Sequence, residues 1–174
     1  MTALAEAALR SLALRADDHR RLAAAGLVAP RGRHQPADHD ARNGNSVTDC
    51  VAVAESFAVS RLLALRPAVR ERDVFTWEGR RNEWRKHGSV DLRSYEQWLA
   101  LMGYVEVRNA LQHGSGRLTD RQLGDHRREI LGWIAAANVH LNGPNVVLTE
   151  GDPVACAGVC AGFVRFLDAA APLA

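Results

Sequence analysis

The chain has 174 residues, enough for one domain with a hydrophobic core that needs neither disulfides nor a structural metal. Its apolar content of 47% and charged content of 24% are ordinary for a soluble globular protein, and its net charge of +2 excludes binding driven by overall charge alone. Three cysteines, an odd number, do not form a disulfide framework.

The N-terminal segment lacks the pattern of a signal peptide. Glu6, Arg10 and Arg15 interrupt any apolar run there. We see no window with the roughly 18 apolar residues of a membrane span. We therefore expect a cytoplasmic protein in a reducing compartment, with no membrane partner.

The first predicted element is a long helix over residues 2–28, which are rich in Ala, Leu, Arg and Glu. Pro and Gly at 29–32 end it. Residues 30–45 are polar and predict a mobile connector, too long for a tight turn. Ser46 and Asp49 then resemble a capping box that starts a second helix.

The second helix has apolar residues at three- and four-residue steps, which predict one buried face: Val51, Ala54, Ala58, Leu62 and Leu65. Pro67 ends it. A third, amphipathic helix is predicted over 71–87, ending near Gly88. It carries a basic run that could contact RNA, although most such runs are simply solvated. The RNA-binding candidates in this run are Arg80, Arg81, Arg85 and Lys86.

Residues 94–97 form a second capping-box pattern, which predicts the start of a fourth helix. Its buried stripe is Trp98, Leu101, Met102 and Val105. Gly114 and Gly116 suit the end of this helix. Residues 119–122 form a third capping box and predict a short helix to about Arg128.

Apolar residues at 139–141 and 146–148 flank Asn142 and Gly143, which predicts a β-hairpin, although Pro144 argues against a tight two-residue turn. A last helix begins at 152–153, where Asp precedes Pro. Its predicted inward face is Cys156, Val159, Phe163 and Phe166. The sum is a single all-α domain over 1–174, an antiparallel bundle of about five to six helices with one small C-terminal hairpin.

Arg108 and His113 stand out near the end of the fourth helix. An imidazole can take a proton from a ribose 2′-hydroxyl, and a guanidinium can neutralise the charge on the attacked phosphate. Five residues place these side chains about 140° apart on a regular helix, so spacing alone does not bring them together. Asn109 lies one turn before His113 and could orient it or hold a phosphate oxygen.

The same residues have a plainer interpretation. An arginine at a helix end often pairs with a surface carboxylate, and a histidine there often interacts with the helix dipole. Judged from spacing alone, this interpretation is favoured.

The motif itself resembles the Arg-x4–6-His signature of the HEPN superfamily, the higher eukaryotes and prokaryotes nucleotide-binding domains. In that signature Asn often follows the Arg, and Gly or Asn often follows the His. Arg108, Asn109, His113 and Gly114 match residue by residue. The tryptophan pattern before the motif and residues 116–122 after it look like the bacterial ribonuclease-type branch. The resemblance spans about 46–170, but only the motif core is specific, and the C-terminal hairpin and helix carry nothing that aligns.

The resemblance implies a helical homodimer in which two Arg–His pairs form a composite, metal-independent endoribonuclease site. Arg108 and His113 would be catalytic, with RNA as substrate, no cofactor and no metal. Cleavage would leave a 2′,3′-cyclic phosphate and a 5′-hydroxyl. The resemblance also implies a toxin–antitoxin or defence role, with a cognate antitoxin protein as partner. Some members are non-catalytic modules that bind RNA, a nucleotide or a protein, and this alternative stays open.

Two further residues are supporting candidates. Glu106 could assist a composite site, but its position on the helix favours a solvent-facing carboxylate. Tyr104 lies one turn before Arg108 and could stack on a base or pack in a dimer interface.

Overall fold

The computed structural model describes residues 1–26 and 37–170, and over this part of the chain the fold is a helical bundle with one small antiparallel sheet. The α-helices are α1 (Ala3–Ala24), α2 (Ala37–Leu65), α3 (Trp77–Gly88), α4 (Trp98–Gly114), α5 (Asp120–Leu123), α6 (Arg127–Ala136) and α7 (Asp152–Ala170). The strands are β1 (His140–Asn142) and β2 (Asn145–Val147). The predicted all-α class with a C-terminal hairpin is confirmed.

Helix α7 is the centre of the bundle and packs against α1, α2 and α4. Its predicted inward residues Cys156, Val159 and Phe163 are buried, and Phe166 is partly buried. Contrary to the sequence prediction, α7 is long and apolar enough to meet the length and composition criteria of a membrane span. Of the window that meets these criteria, 44% is buried inside the bundle.

An aromatic cluster joins α3 and α4 to α7. The ring of Phe163 lies 5.8 Å from Trp77 and 5.6 Å from Tyr95, measured between centroids. Trp77 and Trp98 meet edge to face at 5.7 Å. Such pairs add directional attraction to the hydrophobic effect, so they fix where α3 sits on the bundle.

The two N-terminal helices differ from the prediction in their ends. Thr2 caps α1, since its side-chain oxygen accepts a hydrogen bond from the backbone of Ala5 at 3.3 Å. Helix α1 ends at Ala24, before the predicted end at residue 28, and Gly26 follows with a left-handed φ of 71°. The first part of the connector lies outside the described residues. Helix α2 already begins at Ala37, so residues 37–45 are helical and the capping box at Ser46 is wrong. The buried stripe of this helix is confirmed, with Leu65 partly buried.

The segment before α4 is not a capping box either. Residues 71–74 and 92–94 form 3-10 turns, so α3 starts only at Trp77 and α4 only at Trp98. Tyr95 has extended backbone angles, and its hydroxyl donates to the Val159 carbonyl at 2.7 Å. This contact with α7 accompanies the extended backbone of Tyr95. The local sequence gave no sign of the contact. The predicted stripe of α4 is buried.

The third capping box is confirmed, because Thr119 and Gln122 exchange both of its hydrogen bonds at the start of α5. The helix stops at Leu123 rather than near Arg128, since Gly124 has a non-helical ψ of −139°. Helix α6, which follows, was not predicted. Its Ile130 and Ile134 are buried one turn apart.

The hairpin is confirmed and is tighter than predicted. Asn142 pairs with Asn145, so only Gly143 and Pro144 form the turn. Gly143 has a φ of +59°, which glycine adopts without strain. In a type II′ turn only the first central residue has a positive φ, and the second has a negative φ that suits proline. Pro144 therefore fits a two-residue turn after all.

Gly103 marks the close crossing of α4 and α6. A Cβ there would collide with the Trp133 carbonyl oxygen and lie 2.8 Å from the Ala137 Cβ. We expect Gly103→Ala to lower the free energy of unfolding by about 1–3 kcal/mol, because backbone must move to admit the methyl group. Urea denaturation followed by circular dichroism measures this loss.

Gly132→Ala in α6 is the matched control, because nothing lies within 4 Å of its added Cβ. Alanine should raise stability there by about 0.5–1 kcal/mol. Equal effects of the two substitutions would contradict the close crossing.

Candidate functional site

The motif residues lie on the last two turns of α4. Ser115 ends the helix with a left-handed φ of 51°, and its backbone N–H donates to the Ala110 carbonyl. The N–H of Gly116 donates to the same carbonyl at 3.1 Å. This ending places His113 on the final turn, where its side chain is exposed.

A cleft of about 710 Å³ runs along this part of α4. Arg108, Asn109 and His113 all line it, together with Glu106 and Arg80. Residues of α2, α3 and α5 complete the walls. The structure thus brings Arg108 and His113 to one cleft despite their angular separation on the helix.

Glu55 of α2 holds two arginines at the inner wall of this cleft. Its Oε1 accepts from Arg108 Nη2 at 2.9 Å and from Arg80 Nη1 at 3.0 Å. The three side chains are between 10% and 18% exposed. Charge-assisted hydrogen bonds at this depth are stronger than surface ion pairs. One carboxylate faces two guanidiniums, so the trio keeps a surplus positive charge.

Arg80 is fixed from two other directions. Its Nη2 donates to the Phe75 carbonyl at 3.2 Å. Its guanidinium carbon lies 5.0 Å from the centroid of a Trp77 ring, within the range of a cation–π contact. The Arg80 side chain is therefore preorganised beside Arg108.

Glu106 and Gln122 form the other polar wall. Glu106 is only 6% exposed, so the predicted solvent-facing carboxylate is wrong. Gln122 Nε2 donates to Glu106 Oε2 at 2.7 Å and to its backbone carbonyl at 2.8 Å. Asn109 Nδ2 donates to the same Oε2 at 3.4 Å, which ties Asn109 to Glu106. Arg121 Nη2 lies 3.7 Å from the other carboxylate oxygen.

The charges that line the cleft nearly balance. Three carboxylates and three guanidiniums face it: Glu55, Glu78, Glu106, Arg80, Arg108 and Arg121. The positive groups Arg80 and Arg108 lie together, whereas Glu106 faces Gln122 and Asn109. Two of the three guanidiniums are therefore gathered at one end of the Glu55 contact, in the cleft that His113 also lines.

Four sequence-predicted residues lie outside the cleft. Tyr104 is 1% exposed, so it is not available for base stacking or for a dimer surface, and burial raises the pKa of its phenol. Arg85 is exposed and lies 3.2 Å from Asp91. Arg81 and Lys86 line separate surface hollows. The basic run of α3 is therefore divided among several surfaces, with Arg80 alone facing the cleft.

Glu55, which joins the two arginines, is a site residue that the sequence did not indicate. Its one local signal is a carboxylate inside an otherwise apolar helical run, between Ala54 and Phe57. Phe75 was also missed as a site residue. It lines the cleft and is 82% exposed, which is unusual for so large an apolar side chain.

Within the described residues, no group of three or more His, Cys, Asp or Glu side chains could hold a metal ion. No family model, curated protein or solved structure matches this chain.

The role of Glu55 can be measured through stability. Glu55→Gln removes the charge that both guanidiniums share, and we expect the free energy of unfolding to fall by about 2 kcal/mol. Chemical denaturation at low and high salt measures the loss.

Glu78→Gln is the control, because Glu78 is an exposed carboxylate on the same cleft. It should change stability by less than about 0.5 kcal/mol. A Glu55→Gln variant as stable as the wild type would show that the trio contributes no net stability.

Proposed function

We propose that the protein is a metal-independent endoribonuclease of the HEPN type. The observation that carries this proposal is the shared cleft: Arg108 and His113 both line it, and Arg80 lies beside Arg108. An imidazole can supply the acid–base catalysis, and a pair of guanidiniums the charge stabilisation, for cleavage by a ribose 2′-hydroxyl.

The proposed step begins with the scissile phosphate at Arg108 and Arg80. His113 takes the proton of the 2′-hydroxyl, and that oxygen attacks the adjacent phosphorus. The bond to the 5′-oxygen breaks, and this oxygen receives a proton from an imidazolium. The products are a 2′,3′-cyclic phosphate and a 5′-hydroxyl. The two guanidiniums stabilise the charge that gathers on the non-bridging oxygens.

Glu55 both orients and restrains Arg108. It keeps the guanidinium extended toward the cleft, but it also occupies one of its hydrogen-bonding edges. A guanidinium carries five donors, so Nη donors of Arg108 and Arg80 remain for a phosphate, whereas the Nε atom of each arginine is buried. Phosphate binding therefore needs no loss of the Glu55 contact.

The wider proposal follows the resemblance of the motif. The protein acts in the cytoplasm as a homodimer, with RNA as substrate and no cofactor. The second copy of the Arg–His pair completes the site and supplies the second imidazole. Its biological role is that of a toxin or defence nuclease held in check by a cognate antitoxin protein.

One observation favours a second candidate, a non-catalytic HEPN-like module that binds RNA, a nucleotide or a protein. Arg108 is engaged by Glu55 and Asn109 by Glu106. Such contacts also suit a purely structural role for the motif. The two candidates differ in a single property, which is whether the cleft breaks RNA.

An assay in excess EDTA tests the proposal. Wild-type protein should cut RNA, because no step uses a metal. His113→Ala and Arg108→Ala should each lower the rate at least a hundredfold, since each removes a group that acts in the transition state. Denaturing electrophoresis measures cleavage, and light scattering confirms that the variants keep the wild-type size.

The matched controls are His126→Ala and Arg85→Ala, which alter exposed residues that do not line the cleft. They should leave the rate unchanged. Full activity in His113→Ala would exclude the proposed chemistry. Inactivity of folded wild-type protein on total RNA, with retained RNA binding, would favour the binding module.

A further inference from the structure

A smaller hollow of about 300 Å³ adjoins the cleft, and Trp77 and Glu78 line both. Its apolar walls are Trp77, Trp98, Trp133 and Met102. We call this hollow the tryptophan pocket. Trp77 is thus the partition between the pocket and the cleft that holds Arg108.

Three of the four tryptophans of the chain line this one pocket. The fourth, Trp84, is fully buried, and its indole N–H donates to the Ala58 carbonyl at 3.1 Å. Trp77 and Trp133 are only partly buried. The indole N–H of Trp84 is thus hydrogen-bonded within the core. The other three indole rings line the pocket.

Polar groups accompany these rings. The guanidinium of Arg81 supplies hydrogen-bond donors at the lining. Arg93 and the carboxylates of Glu78 and Glu129 complete the lining. The pocket therefore combines flat aromatic walls with both donors and acceptors. A nucleobase needs this combination, because it has a stacking face and a polar edge.

We propose that the tryptophan pocket binds a base of single-stranded RNA beside the phosphate held by Arg80 and Arg108. The inference rests on the proposed function for its substrate class. The link between the two sites is Trp77, whose ring lies 5.0 Å from the Arg80 guanidinium. A base in the pocket and its neighbouring phosphate at the arginines would lie on opposite sides of one side chain.

The geometry selects single strands over duplexes. Bases in a duplex are stacked and paired inside the helix, so they cannot enter a lateral pocket without being unpaired. Phe75 extends the aromatic surface on the cleft side, where it is 82% exposed. It offers a stacking face to the next base along the strand.

Intrinsic tryptophan fluorescence tests the pocket without relying on cleavage. His113→Ala protein is titrated with a fluorescein-labelled single-stranded RNA of eight nucleotides, and binding is followed by anisotropy. Because three of four tryptophans line the pocket, quenching should rise in step with the bound fraction. A fully paired duplex of the same length should bind at least tenfold more weakly and quench little.

Two variants locate the effect. Trp133→Ala removes one wall and should weaken single-strand binding about tenfold, the usual effect of losing one stacking partner. Arg93→Gln changes an exposed residue of the pocket rim and should weaken binding about threefold without disturbing the fold. Arg10→Gln, at an exposed arginine of α1, should have no effect.

The outcomes separate this inference from the nuclease proposal. Binding without a change in tryptophan fluorescence, alongside cleavage by the wild type, would overturn the pocket alone. Unchanged RNA binding in Trp133→Ala, with loss of dimers in light scattering, would assign the pocket to contact between copies and also overturn it. Neither binding nor cleavage of any RNA would overturn both proposals.

Discussion

The candidate site depends on the ion pairs that the carboxylate of Glu55 makes with Arg80 and Arg108. Glu55 belongs to α2, and its Oε1 binds guanidiniums from α3 and α4 at 3.0 and 2.9 Å. Without it, two cations of like sign would be nearly buried beside each other, which Coulomb repulsion opposes. The carboxylate makes that pairing stable and leaves a net positive charge facing the cleft.

The apolar core supplies the frame for this trio. Helix α7 holds α1, α2 and α4, and its Phe163 holds α3 through Trp77. The same Trp77 ring lies against Arg80. Core packing and site geometry therefore meet at one side chain, and a change in the position of α3 would move a guanidinium of the site.

The sequence predicted the elements whose evidence is local. The apolar stripes of α2 and α4, the Thr119 capping box and the hairpin all follow from spacing within one segment. The capping pattern at 94–97 was wrong because Tyr95 bonds to Val159, a contact 64 residues away. The box at Ser46 was wrong because α2 had already begun at Ala37.

The candidate site could be predicted only in part, because some of its contacts join residues that are far apart in the sequence. Arg108, Asn109 and His113 form a motif within six residues, so the sequence could single them out. Glu55 lies 53 residues before Arg108, and its role depends on how α2 packs against α4. The burial of Tyr104 and Glu106 likewise depends on neighbours that the motif does not contain.

In the proposed reaction, the 2′-hydroxyl of the RNA itself attacks the phosphorus, without a metal. The most direct measurement maps one cleavage position, then replaces that single ribose by 2′-deoxyribose and repeats the reaction in EDTA. We predict that cleavage at the deoxyribose position stops while cleavage at neighbouring sites is unaffected. The product of cleavage of the unmodified RNA should carry a 2′,3′-cyclic phosphate, which mass spectrometry detects. Continued cleavage at the deoxyribose position would show that another nucleophile attacks the phosphorus, and it would exclude the proposed reaction.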